Sequence, residues 1–198
     1  MKNKILMGLA AIAMVAVLAG CAKKPQVEID ATNAAIAAAQ AAEANVYLPT
    51  EFAALQDSMN VINTAIAAKE GKMFKNFKAE VAKLDALKTK AGEVAGNVAA
   101  KKDEVKKEAE TVLNDIKAVV AENAKLVTKL PKGKEGAAVI EQIKADLGNV
   151  DTAVADAQAS FDKGTYMDAL NKIKAAKVKA DGLNTEIKDA LTKAKIRF

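Results

Sequence analysis

Along most of this chain apolar residues recur at steps of three and four, the spacing of one helical face. The first block differs, because Ile5 to Val17 is apolar without interruption. From Val27 to about Asn45 small residues predict a helix whose inner face is Ile29, Ala31, Ala34, Ala35, Ala38 and Ala42. Pro49 interrupts that pattern, since it disfavours helix at Leu48 and suits the first turn of a new one. Phe52, Leu55, Met59, Ile62 and Ile66 then predict a second helix, roughly Thr50 to Lys69, ended by Glu70-Gly71.

Residues 72 to 130 contain no proline and are long enough for one helix of about 90 Å at 1.5 Å per residue. Phe77, Val81, Leu84, Leu87, Ala91, Val94 and Val98 form one apolar stripe, and Val105, Ala109, Val112, Ile116, Val119, Leu126 and Leu130 a second. Asn123 occupies the expected seam position between Val119 and Leu126, in a coiled-coil-like period. Between the stripes, Lys101-Lys102-Asp103-Glu104 is a full turn with no apolar face, so the helix is either exposed on all sides there or changes partner. Gly92 and Gly96 are the weak points for a bend.

A proline and two glycines make Leu130 to Gly136 the clearest loop in the chain. Beyond it a helix is predicted from about Ala137 to Asp162, with Val139, Ile140, Ile143, Leu147, Val150 and Val154 inward. Asp162-Lys163-Gly164 turns into a last helix, roughly Thr165 to Lys195, with Tyr166, Leu170, Ile173, Val178, Leu183, Ile187 and Leu191 inward. The turn Phe161 to Leu170 resembles the inter-helix turn of a tetratricopeptide repeat, and Ala68 to Phe77 is a weaker echo of it. The 34-residue period of such arrays is missing, which favours two helical hairpins over a peptide-binding array.

The fold class expected is all-α: an elongated bundle of about five helices, two hairpins joined by a long, coiled-coil-like middle helix. Alanine dominates the apolar content and there are only 7 aromatic residues, 5 Phe and 2 Tyr, so close packing through Ala faces must replace large buried side chains.

The opening block has the build of a secretory signal. Lys2 and Lys4 precede the apolar run, and the run ends in Leu18-Ala19-Gly20-Cys21. A small-residue site ending directly in Cys resembles the lipobox of bacterial lipoproteins. The resemblance implies a diacylglyceryl group on the Cys21 thiol, cleavage between Gly20 and Cys21, and acylation of the new amine. A retained membrane helix would need roughly 20 apolar residues, and the run is shorter. A disulfide would need a partner thiol, and Cys21 is the only cysteine. The expected organisation is a signal peptide over 1–20, lipidated Cys and polar spacer over 21–26, an N-terminal hairpin plus long helix over 27–130, a loop over 131–136 and a C-terminal hairpin over 137–198. Ala22 is not the Asp that favours inner-membrane retention in such lipoproteins, so the resemblance implies the outer membrane, facing the periplasm.

The Ala-spaced helix, the junction Tyr47-x-Pro49-x-Glu51-Phe52, the second helix, and Gly71 followed by Met73-Phe74 resemble an uncharacterised helical domain of many bacterial envelope lipoproteins. In some of those it precedes an OmpA-like peptidoglycan-binding module. The resemblance covers roughly residues 22 to 95, brings no catalytic residues, and finds no such module here.

Removing Lys2 and Lys4 from the 30 basic residues leaves 28 against 25 acidic, a mild excess spread over helical faces. With the export signal, this argues against a nucleic-acid partner. The chain has no His, which removes the usual general base and the commonest zinc ligand. Gly133 and Gly136 lack the Gly-Lys-Ser/Thr ending of a phosphate loop, and no calcium-loop pattern occurs. No catalytic, cofactor-binding or metal-binding residue is expected. Tyr47 and Tyr166 each sit beside a turn, where packing an aromatic ring on a neighbouring helix is the commoner use. Two readings of function follow. One is a lipid-anchored structural or interaction protein of the cell envelope, held on the membrane through Cys21 and meeting an envelope protein. The other is a periplasmic binding module or holdase for a lipid, peptide or cell-wall fragment. Close-packed Ala interfaces leave little room for a large cavity, and three methionines after residue 21 (Met59, Met73, Met167) are few for an adaptable surface.

Overall fold

The computed structural model describes residues 23–72, 75–131 and 134–198. The expectations for Leu18-Ala19-Gly20-Cys21, cleavage and lipidation included, lie outside these residues, as do Met73, Phe74, Lys132 and Gly133. The elements are α1 (Gln26–Ala41), α2 (Ala44–Tyr47), α3 (Pro49–Glu70), α4 (Lys78–Val127), α5 (Lys134–Asp162) and α6 (Tyr166–Lys193). No strand occurs among the described residues. The fold is an all-α bundle with one long central helix.

At 50 residues, α4 is unbroken through Gly92 and Gly96 and is about 75 Å long. It runs up the whole molecule and serves two bundles in turn. Its N-terminal half packs on α1, α2 and α3, and its C-terminal half on α5 and α6. Thr32 donates to the Leu84 carbonyl and Lys102 pairs with Glu43, so α1 runs parallel to α4. Lys69 meets Glu80, so α3 returns antiparallel. Lys188 meets Glu122 and Asn123 meets the Ala180 carbonyl, so α6 again runs parallel, with α5 descending between. The Lys101–Glu104 turn is where α4 changes partners: Val98 closes the lower core and Val105 opens the upper one.

Helix ends follow local chemistry. Pro49 starts α3, and Asn76 Oδ1 accepts from the Lys78 N–H at 3.0 Å, covering one orphan donor of α4. Gly164, at φ 80°, ends α5, with the Thr165 N–H reaching back to the Ser160 carbonyl. Lys195, at φ 57°, does the same for α6, where the Ile196 N–H bonds the Leu191 carbonyl.

Several inward positions differ from the expectation. The first helix does not reach Asn45: it stops at Ala41, Glu43 takes a left-handed φ of 71°, and α2 follows. That turn drives Ala44 and Tyr47 into the core, and their burial outweighs the helix propensity of the Ala run. The inner face of α1 is Ile29, Thr32 and Ala39 rather than Ala34 and Ala38, which are exposed. The long helix begins at Lys78, not residue 72. In α4, Leu113 is buried where Val112 was expected, and Val112 and Val119 are half-buried. There α4 lies against two helices at once, which widens its apolar face. In α6, Ala176 and Ala180 point inward and Val178 is 74% exposed. Val139, near the start of α5, is exposed rather than inward.

Candidate functional site

The two turns that reverse the chain, α2–α3 and α5–α6, both come back to the middle of α4. There Tyr47, 3% exposed, lies under the Lys102 ammonium, which is 5.3 Å from the ring centroid. One turn further on, Lys106 lies 5.6 Å from the Tyr166 ring, and Tyr166 packs on Phe161 at 5.2 Å and a tilt of 60°. Lys102 also donates to the Glu43 carboxylate. The left-handed Glu43 is what carries this carboxylate to α4. The Glu43 hydrogen bond raises the Lys102 pKa above its ordinary 10.5; burial opposes this, and Tyr47 and Tyr166 both add to it. Lys102 is therefore an ammonium at neutral pH and serves as a cation that seats the Tyr47 ring, not as a base.

The sequence singled out both tyrosines and the turn without an apolar face; the structure brings all three together at one waist. Glu43 and Lys106 were missed. The six-residue gap between Val98 and Val105 was the available signal for a polar contact here.

Three further polar groups lie inside or beside the seams. Glu80, its side chain 5% exposed, receives Lys69 at 2.7 Å, and that hydrogen bond holds its carboxyl below the usual 4.5 against the opposing effect of burial. Asn123, fully buried, donates to the Ala180 carbonyl at 2.8 Å and accepts from Asn184 at 2.6 Å. Ser160 sits between Asp168 (2.7 Å) and Lys172 (2.9 Å), and Lys172 is itself paired with Asp168. Lys172, then Ser160, hold Asp168 ionised below its ordinary 3.8. A serine beside a lysine suggests a nucleophile and its base, but here Lys172 pairs with Asp168 and the Ser160 hydroxyl donates to the same carboxylate. The trio staples the α5–α6 turn. Among the described residues no buried side-chain polar atom lacks a partner, and no group of three or more acidic, Cys or His side chains is placed to hold a metal ion.

At the far tip, α4 and α5 enclose a shallow groove of about 450 Å³, lined by Val127, Thr128, Ala137, Ile140, Glu141 and Lys144. Glu141 and Lys144 pair with each other at 3.0 Å, so its polar groups satisfy one another instead of converging on a ligand. At the opposite end the described chain begins. Pro25 is buried, and Lys24 bridges to Glu70 at the end of α3 at 3.2 Å. Residue 23, two positions after Cys21, thus lies at the base of the rod, about 75 Å from the tip by the length of α4. No described helix is long and apolar enough to cross a membrane.

Compared with protein-family models, with curated proteins and with solved structures, the chain gives no match. The resemblances to a lipobox and to an envelope-lipoprotein domain therefore rest on their own residues.

Proposed function

We propose that this protein is a lipid-anchored, non-catalytic rod of the bacterial cell envelope, attached through Cys21 to the outer membrane and presenting its helical surface to an envelope protein on the periplasmic side. The observation that carries this reading is the placement of Lys24, three positions after Cys21. Lys24 is fixed to the end of α3 by Glu70, so a lipid on Cys21 would hold the rod at one extremity and leave the tip about 75 Å away. A diacylglyceryl group with an N-acyl chain gives stable anchoring, where one chain gives only marginal binding. The polar groups described above support the reading too, because each is used to hold helices in register. Fractionation of host cells expressing Cys21→Ser tests it. The variant is expected to disappear from the outer-membrane fraction, and its retention there would overturn the proposal.

A further inference from the structure

We propose that the base of the rod, formed by residues 23–24, 69–72 and 75–78, is a docking surface for an anionic phospholipid bilayer. From Pro25 to Ala68 the chain has five carboxylates (Glu28, Asp30, Glu43, Glu51, Asp57) and no lysine or arginine. The charge then reverses, and Lys69, Lys72, Lys75 and Lys78 follow at three-residue intervals. The fold gathers these with Lys23 and Lys24 at one end: Lys24 meets Glu70, while Lys69 reaches both the Asn76 carbonyl (3.1 Å) and Glu80.

Of the carboxylates at this end, Glu70 and Glu80 are already used by Lys24 and Lys69, leaving Glu28 in the first turn of α1. Among the described residues no carboxylate pairs with Lys23, Lys72, Lys75 or Lys78; Lys75 is half-buried and the other three are exposed. A cationic base fits a negatively charged headgroup layer, which attracts it within a Debye length of about 8 Å at physiological salt. The far tip also carries cations, Lys193, Lys195 and Arg197 among them, so charge alone does not choose the end. The choice comes from Lys23 and Lys24, two and three positions after Cys21 in the sequence, which lie at the base. In that respect the inference rests on the lipid-anchor reading above.

The test uses the chain from residue 21 on with Cys21→Ser, which carries no lipid, and sedimentation with vesicles of phosphatidylcholine alone or in equimolar mixture with phosphatidylglycerol. Binding is expected to the mixture only, and to fall with added salt. Lys23→Glu/Lys72→Glu/Lys78→Glu, three exposed lysines without ion pairs, is expected to weaken it on the order of a hundredfold, at roughly fivefold per lysine. Lys193→Glu/Lys195→Glu/Arg197→Glu is expected to leave it within a few-fold. Helical circular dichroism and melting confirm that both variants fold. No binding to the mixture, or loss in the tip variant with retention in the base variant, would overturn the proposal. Failure here with fatty-acid labelling of Cys21 intact in the host would refute the docking surface and leave the anchor standing.

Discussion

Asn184 donates to Asn123 at 2.6 Å inside the seam between α4 and α6, and Asn123 passes its own donor to the Ala180 carbonyl. This polar pair sits in an otherwise aliphatic layer with Ala176, Leu183 and Ile187. A single asparagine at a seam position fixes register because any slip leaves it buried without a partner. Asn123→Ala is therefore expected to lower stability by about 1–3 kcal/mol in denaturant unfolding, since it removes the hydrogen bonds to Asn184 and the Ala180 carbonyl and empties the space. Asn123→Leu with Asn184→Leu is expected to recover most of that loss, because both polar partners leave together.

Sharing α4 couples the two bundles. Asp103 is exposed, in the turn between the lower and upper cores, and makes no ion pair among the described residues. Asp103→Pro removes a helical hydrogen bond and clashes with the preceding turn, at about 3 kcal/mol or more. Thermal unfolding of the parent protein is expected to be one transition. In Asp103→Pro it is expected to split into two, because the bundles on either side keep their own cores. A single, merely lowered transition in the variant would show that the bundles are coupled through more than the helix.

The inward positions of α6 can be checked by paired substitutions. Val178 is 74% exposed and Ala180 fully buried. Val178→Lys is expected to change stability by less than about 0.5 kcal/mol, as for most surface sites. Ala180→Leu forces extra volume into the α4–α6 contact and is expected to cost about 1–3 kcal/mol. The reverse order would put α6 in a different rotation about its axis.

Acid sensitivity has a definite sign. Lys69 holds Glu80 below its ordinary 4.5, Lys188 does the same for Glu122, and Lys172 and Ser160 hold Asp168 below 3.8. In each case the unfolded chain takes up the proton first. Their stabilisation is full above about pH 4.5 and is lost as pH falls through the depressed folded values. Lys102 has the opposite sign: its contribution is full below about 10.5 and is lost as pH rises through its raised folded value. The melting temperature is expected to drop below pH 4.5, and Glu80→Gln is expected to lower it at neutral pH and flatten the acid slope.

The fold class, the pairing of hairpins and the long middle helix were legible because their signals are local. Pro49 marks a turn by its fixed φ and Gly164 by the left-handed φ of 80° that glycine adopts without strain, and the apolar steps along α3 and α4 are regular. What escaped depended on neighbours. The Ala run gives no warning of the left-handed Glu43, which is held by the burial of Tyr47 and the reach to Lys102. Val178 has the apolarity of a core residue, yet Ala176 and Ala180 face α4 because a close helix contact selects small side chains. Thr32 and Glu80 are polar and would be placed outside by pattern; each is buried because a partner from another helix, Leu84 or Lys69, satisfies it. At the waist, the tyrosines were visible as turn aromatics, but that each meets a lysine of the same stretch of α4, Tyr47 under Lys102 and Tyr166 under Lys106, required the parallel packing of α1 and α6 on α4.

The anchor that would give this rod its place in the cell is a lipid on Cys21. Metabolic labelling of the native host with a clickable fatty acid, followed by capture of the protein, measures it directly. The account predicts label in the parent protein, located on a peptide that begins at Cys21, and none in Cys21→Ser. A parent protein that stays unlabelled, with Cys21 a free thiol, would contradict it.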